Sequence, residues 1–132
     1  MINSRKVEDL TPEAQDKFKE FKAAVEAAGI LFTVTSTYRD QEMQDYLYAS
    51  GRTRPGPILT KVKHSRHQDR EAWDIAMIGP KGEICWDVKV DVNKNQIPDY
   101  LEAARIGASL GLVAGGLWEG FKDWPHYELS KG

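Results

Sequence analysis

The 132-residue chain has one cysteine, three histidines and no long apolar run, and each scarcity closes off a class of protein. Cys85 alone cannot form an internal disulfide, and a cysteine-based zinc knuckle needs two or more thiolates. Any metal site must therefore be built from histidine and carboxylate. No stretch approaches the roughly 20 apolar residues of a membrane span, so membrane insertion is not expected. The N-terminal MINSRKVEDLTPEAQ contains no apolar leader core, which points to synthesis as a cytosolic protein. Excess positive charge is also missing. Eighteen Lys and Arg stand against 20 Asp and Glu, a formal net charge of -2, and no nucleic-acid partner held through its phosphates is expected. What remains, 41% hydrophobic and 29% charged, suits one globular domain over residues 1–132 with a proper core.

The hydrophobic spacing predicts an ordered α+β chain. Thr11 is placed to cap a first helix with Pro12 at its favoured first position, Phe18, Phe21, Val25 and Ala28 recur at helical spacing, and Gly29 ends it. Ile30 to Thr35 is β-branched and aromatic, a short strand. A second helix is expected from Asp40 to Ala49, with Met43, Tyr46 and Leu47 inward and Gly51 as its stop. GRTRPGPILTK then reads as an ordered loop. Ala72 to Ile78 is a strand whose hairpin partner is Ile84 to Val90 across the turn GPKGE. Ile97 to Leu110 is a third helix ended by Gly111. A glycine-rich stretch leads to a final strand, His126 to Leu129. No repeat or linker interrupts the series, which suggests helices against an antiparallel sheet.

The segment HSRHQDREAWDIA, residues 64 to 76, concentrates potential metal ligands. Catalytic zinc takes three protein ligands, usually histidine and carboxylate, and keeps a fourth position open. His67 and Asp74 can supply two, and His126 in DWPHYEL is the remaining histidine outside the cluster. Asp123, three residues before it, is placed to act as a general base, with Pro125 stiffening the backbone between. Each piece has a plainer reading: a His with a nearby Asp is commonly a surface hydrogen bond, and His126 suits a core. His64 rivals His67, and spacing does not choose between them.

Three motifs in chain order resemble one family. Ser65-Arg66-His67 through Ala72-Trp73-Asp74 resembles the S-x-H-x-x-G-x-A-x-D signature of the zinc D-Ala-D-Ala carboxypeptidase and L-alanyl-D-glutamate peptidase family (peptidase family M15), which includes many phage endolysins. DWPHYEL is similar to its closing D-x-P-H-[FY] motif, and YRDQEMQDYLYASGRTRPG, residues 38 to 56, to its Y-R-S-x-x-x-Q-x-x-L-Y-x-x-G-R-T-x-P-G segment. The resemblance implies a small antiparallel sheet flanked by helices, of the Hedgehog and DD-peptidase type. It implies Zn2+ held by His67, Asp74 and His126, not His64. It makes Asp123 the catalytic acid/base and Arg39 a cation for developing negative charge or a substrate carboxylate, where the bland alternative is an ion pair with Glu42. Gln44 and Ser65 match polar positions near the substrate. Arg70 stands where the family has glycine; a positive φ there would strain arginine by about 1 kcal/mol or more. Asp40 replaces the usual serine and can cap the second helix equally well.

The activity implied is zinc-dependent hydrolysis of a stem-peptide amide bond in bacterial peptidoglycan, with L-alanyl-D-glutamate preferred, by a monomeric phage endolysin in host lysis. Such an enzyme is made in the host cytoplasm and reaches the wall by export or lysis-protein-mediated release. The alternatives are a D-Ala-D-Ala carboxypeptidase and a non-catalytic, zinc-containing, wall-binding virion protein, the latter kept open by Arg70. Glu128, on the strand face of His126, is a candidate to orient that imidazole. Trp73 is expected in the core, and Trp118 and Trp124 along a groove wall. DVNKNQIPDYLE, Asp91 to Glu102, matches much of the D-x-[DN]-x-[DN]-G-x5-E calcium loop, but Gln96 replaces its sharp-turn glycine and Pro98 sits where a strand-pairing residue is expected. A turn feeding a helix explains the same residues, and the segment is read that way.

Overall fold

The computed structural model describes residues 1–130. Helix α1 (Pro12–Ala27) starts where the sequence places it, the Thr11 hydroxyl accepting from the Ala14 amide. The chain continues through β1 (Phe32–Ser36), α2 (Gln41–Ala49), β2 (Ala72–Ile78), β3 (Ile84–Cys85), α3 (Asp99–Ser109), β4 (Leu112–Ala114) and β5 (His126–Leu129). The strands form one antiparallel sheet in the order β1-β2-β5-β4, with β3 paired to the end of β2.

Strand alternation gives this sheet two unlike faces. Trp73, Ile75 and Met77 of β2, with Tyr127 and Leu129 of β5, join the buried cluster against α1 and α3. There Phe18 and Phe21 approach Trp73 at ring distances of 5.3 and 5.9 Å, and Phe21 lies 4.5 Å from Tyr127. Asp74, His126 and Glu128, the intervening residues, belong to the opposite face. The register sets Asp74 directly across from His126 and pairs Asp74 with Ser36 on its other side.

Several expectations shift. The β3 hairpin strand is only two residues long instead of reaching Val90, because its edge of β2 is already taken: Ile75 donates to the Pro125 carbonyl, and β5 pairs Ala72 to Asp74. Tyr100 fastens this short strand, its hydroxyl accepting from the Met77 amide and donating to the Cys85 carbonyl. Helix α3 starts at Asp99 instead of Ile97, consistent with the extended backbone that a following proline imposes. In α2 the buried side chain is Gln44. Tyr46 turns outward, where the Arg54 guanidinium stacks 3.8 Å above its ring. The three-residue β4 lies in the stretch read as glycine-rich loop.

Arg70 does adopt the left-handed conformation, φ +61°. Its guanidinium stacks 4.0 Å over Tyr38 and donates to the Asp9 carbonyl, while its own carbonyl accepts from Thr11 at the α1 cap. The side-chain contacts, each worth about 1 kcal/mol, offset a backbone cost of similar size. In denaturant unfolding, Arg70→Ala is therefore expected to destabilise by about 1–2 kcal/mol, and Arg70→Gly by about 1 kcal/mol less, since it loses the same contacts but sheds the strain. Equal destabilisation by both would show that no backbone strain is stored there.

Candidate metal centre

Each ligand-type side chain on the polar face is fixed by a different element. Asp74 sits mid-strand in β2 and His126 opens β5. His67 lies in a tight turn whose backbone is held by the Ser65 hydroxyl accepting from the His67 amide and by the His67 carbonyl accepting from the Arg39 amide. The result is compact: His67 Nε2 and His126 Nδ1 each lie 3.2 Å from Asp74 Oδ1, and the three donor atoms fall within 4.8 Å of one another. Ligands at about 2.0–2.1 Å on the corners of a tetrahedron stand about 3.3 Å apart, so the observed spacing fits zinc.

The outer nitrogens decide the tautomers. His67 Nδ1 is 2.8 Å from the Thr37 carbonyl, which can only accept, so the proton lies there and Nε2 offers its lone pair inward. His126 Nε2 is 2.7 Å from Glu128 Oε1, leaving Nδ1 for the centre. Glu128 is itself held by Arg66, which donates from Nη1 to Glu128 at 3.1 Å and from Nη2 to Glu71 and the Leu129 carbonyl, each at 3.2 Å. His64 stays out of the cluster, exposed and paired with Asp69 at 2.9 Å.

The charges reinforce one another. Burial by itself raises the Asp74 carboxyl, but His67 and His126 outweigh it and hold the group far below the usual carboxylate range. Burial likewise opposes a charged His126, yet hydrogen bonds to Asp74 and Glu128 push it up to about 10. A bound cation must displace that proton, so metal uptake weakens in acid. Asp123 moves upward, through burial and then the charge of Asp74, as suits a group that takes and returns a proton. Burial draws Arg39 downward, resisted by Asp74 and Asp123.

The centre lies in a cleft of about 770 Å³. Leu59 and Val62 come from the loop after α2, Trp118 and Phe121 from the loop before β5, and Arg39 and Asp123 are also in its lining. Arg39 donates to Gln44 Oε1 at 2.9 Å and stands 3.7 Å from Asp74 Oδ2; Glu42 instead pairs with the N-terminal ammonium. Gly115 accepts the Asp123 amide on its carbonyl, and a Cβ there would lie 2.3 Å from the Asp123 carbonyl oxygen, so only glycine seats this turn. Ser65 lines the cleft as well as bracing His67. Gln44, expected at the substrate, is fully enclosed and does not line the cleft: Arg39 and the Val62 carbonyl occupy its amide at 2.9 and 2.8 Å. Trp118 is a wall residue, 5.4 Å from the His126 ring, whereas Trp124 packs on the core beside Gly116. Sequence reasoning missed the Thr37 carbonyl, which carries no side-chain signal, and Arg66, an unspecified position inside the motif.

Residues 60–129 match the family model described as D-alanyl-D-alanine carboxypeptidase. The peptidoglycan L-alanyl-D-glutamate endopeptidase CwlK of Bacillus subtilis strain 168 is 38% identical over 123 residues, 92% of this chain and 74% of that protein. Two solved structures share the fold. The L-Ala D-Glu endopeptidase ChiX of Serratia marcescens has a TM-score of 0.70 at 18% identity, covering 98% of this chain and 89% of its own. A variant of the vancomycin resistance D,D-pentapeptidase VanY with Zn(II) has a TM-score of 0.59 at 16% identity, covering 91% and 72%. The chain belongs to the M15 family of metallopeptidases, whose cofactor is zinc.

By metal analysis after dialysis, His67→Ala is expected to lose bound zinc and His64→Ala to retain it. Glu128→Ala should weaken zinc binding about 10- to 100-fold, the usual effect of removing an orienting partner. Full retention by Glu128→Ala would mean that the His126 ring is oriented by other contacts.

Proposed function

We propose that the chain is a zinc-dependent peptidoglycan peptidase that hydrolyses the L-alanyl-D-glutamate bond of the stem peptide. His67, Asp74 and His126 would hold the ion, Asp123 would act as acid/base, and Arg39 would meet negative charge on the substrate. The observation that supports this most strongly is the pair of 3.2 Å approaches of the two imidazoles to one carboxylate oxygen, with each outer nitrogen already committed. Two neutral imidazoles and one carboxylate leave a bound zinc a net charge of +1. Zinc held there supplies Lewis acidity, bringing water into nucleophilic range near neutral pH and polarising the scissile carbonyl.

The side chains of the cleft do the rest. Asp123, its carboxyl raised in affinity for a proton, accepts one from the attacking water and returns it to the leaving amine. Arg39 is held by Gln44 and Asp74 and offers a fixed positive charge to the oxyanion or to a substrate carboxylate. Gln44 thus serves as the brace of Arg39, and Ser65 as the brace of the His67 turn. The two apolar walls flank an extended peptide and limit bulk water around the reacting bond.

The identity with CwlK supports the L-alanyl-D-glutamate bond, and the description of the matching family model supports a D-Ala-D-Ala carboxypeptidase as the second reading. Arg70 no longer favours a non-catalytic wall-binding virion protein, because it adopts a positive φ, the region open to glycine, with its guanidinium held by Tyr38 and the Asp9 carbonyl. The motif resemblance extends the proposal to a monomeric, one-domain phage endolysin, made in the host cytoplasm and released to the wall at lysis.

Mass spectrometry of muropeptides digested with zinc-loaded protein should reveal new C-terminal L-alanine and N-terminal D-glutamate; loss of terminal D-alanine alone would establish the carboxypeptidase instead. Asp123→Ala should keep its zinc while losing activity by about 10²- to 10⁴-fold. Unimpaired hydrolysis by that variant would remove Asp123 from the chemistry.

A further inference from the structure

Outside the metal centre, the segment before α3 holds a second constellation of oxygen ligands. Asp91, Asn93, Asn95, Asp99 and Glu102 occupy the first, third, fifth, ninth and twelfth places of a twelve-residue loop. The sharper of the two objections to a calcium loop, beside Pro98 at the strand-pairing position, is Gln96 at the glycine position. In the structure Gln96 nonetheless takes the left-handed conformation, φ +72°, and the Asp91 carboxylate accepts from the Asn95 and Gln96 amides at 3.2 and 2.9 Å. The Asn93 and Asn95 side-chain nitrogens donate to Glu102 Oε1 at 3.1 and 2.7 Å, which draws the third, fifth and twelfth positions together, while Asn95 Oδ1 accepts from the Ile97 amide at 2.9 Å.

Turn formation accounts for those contacts, but not for two buried oxygens. Asp99 is 1% exposed. One of its oxygens accepts from the Val92 amide at 3.0 Å, which turns the carboxylate into the loop, and the other has no hydrogen-bond partner among the described residues. Asn93 Oδ1 is likewise buried without a hydrogen-bond partner among the described residues. Its amide nitrogen is committed to the Ala28 carbonyl and Glu102, so exchanging N and O would set two acceptors against each other. A buried carboxylate oxygen and a buried amide oxygen without donors are costly unless a cation or its water completes them. Burial, and then the nearby charges of Asp91 and Glu102, hold the Asp99 carboxyl above its ordinary range, as expected where acids crowd without a counter-charge.

We propose that Asp91–Glu102 binds one calcium ion, with Asp91, Asn93, Asn95 and Glu102 as side-chain ligands, the Ile97 carbonyl contributing from the backbone, and Asp99 acting through water. An all-oxygen set without histidine or thiolate favours a hard cation over zinc, and its flexible carboxylates and amides suit calcium better than the rigid octahedron of magnesium. The ion would serve as a clamp. Asn93 ties the loop to the end of α1 through Ala28, and Asp99 begins α3, so one cation fastens the two helices that cover the apolar face of the sheet.

Calorimetric titration of calcium into zinc-loaded protein should show one site, with a dissociation constant on the order of 10⁻⁴–10⁻³ M or tighter. Thermal melting in about 10 mM calcium should rise by several degrees, and by less in equal magnesium. His67→Ala, which disables the zinc centre, should keep the calcium-dependent rise. Glu102→Gln and Asp91→Asn should each weaken calcium binding at least about tenfold and remove the rise. Two variants at opposite ends of the loop keep the test usable if one fails to fold. Folded wild-type protein that shows neither heat nor a melting shift at about 10 mM calcium overturns the proposal, as does a shift that survives in both loop variants or disappears in His67→Ala.

Discussion

The antiparallel register that sets Asp74 opposite His126 is the constraint on which the rest of the molecule depends. With a side-chain period of two, the same register sends Trp73 and Tyr127 into the helix-covered core and presents Asp74, His126 and Glu128 on the other face. A one-residue slip of β5 would place an imidazole among Phe21 and Trp73 and expose Tyr127, losing core and site together. Core packing thus enforces the geometry of the candidate metal centre: the stacked and edge-on rings around Phe21 and Trp73 hold the backbones of Asp74 and His126 at fixed spacing.

The third candidate ligand, His67, sits in a turn, and a turn needs other restraints. His67 is held by the Thr37 carbonyl on one side and the Ser65 hydroxyl on the other. Arg70, three residues on, anchors the same turn to Asp9, Thr11 and Tyr38. Around the centre, partly buried charges alternate in sign from Glu71 through Arg66 and Glu128 to His126, and again from Asp74 to Arg39. Such a chain costs desolvation and adds little net stability. Its effect is to fix protonation and ring orientation where chemistry requires them.

Much of this was legible in the sequence because the signals were local. Thr11-Pro12 with its helical apolar spacing marked α1, and the unbroken Ala-Trp-Asp-Ile-Ala-Met-Ile run marked β2 at its observed bounds. The ligand triad was visible as motifs, and the structure draws His67, Asp74 and His126 together while leaving His64 with Asp69. What could not be read depended on contacts with other segments of the chain. The β3 strand stops at Cys85 because Pro125 and β5 claim the adjoining edge of β2, and Tyr46 turns outward because Arg54 stacks on it. Gln44 looked like a substrate contact because polar motif residues often are; its place beneath Arg39 follows from where the loop after α2 lays the Val62 carbonyl.

Zinc binding as proposed requires two imidazoles and one carboxylate from three segments to share a single ion. X-ray absorption at the zinc edge on the folded, stoichiometrically loaded protein measures this directly. The expected spectrum shows four-coordinate zinc with nitrogen and oxygen scatterers at about 2.0–2.1 Å and the outer-shell pattern of two imidazoles, reduced to one in His126→Ala. A sulfur scatterer at about 2.3 Å, which only Cys85 or a methionine could supply, or a spectrum unchanged by His126→Ala, would contradict the account.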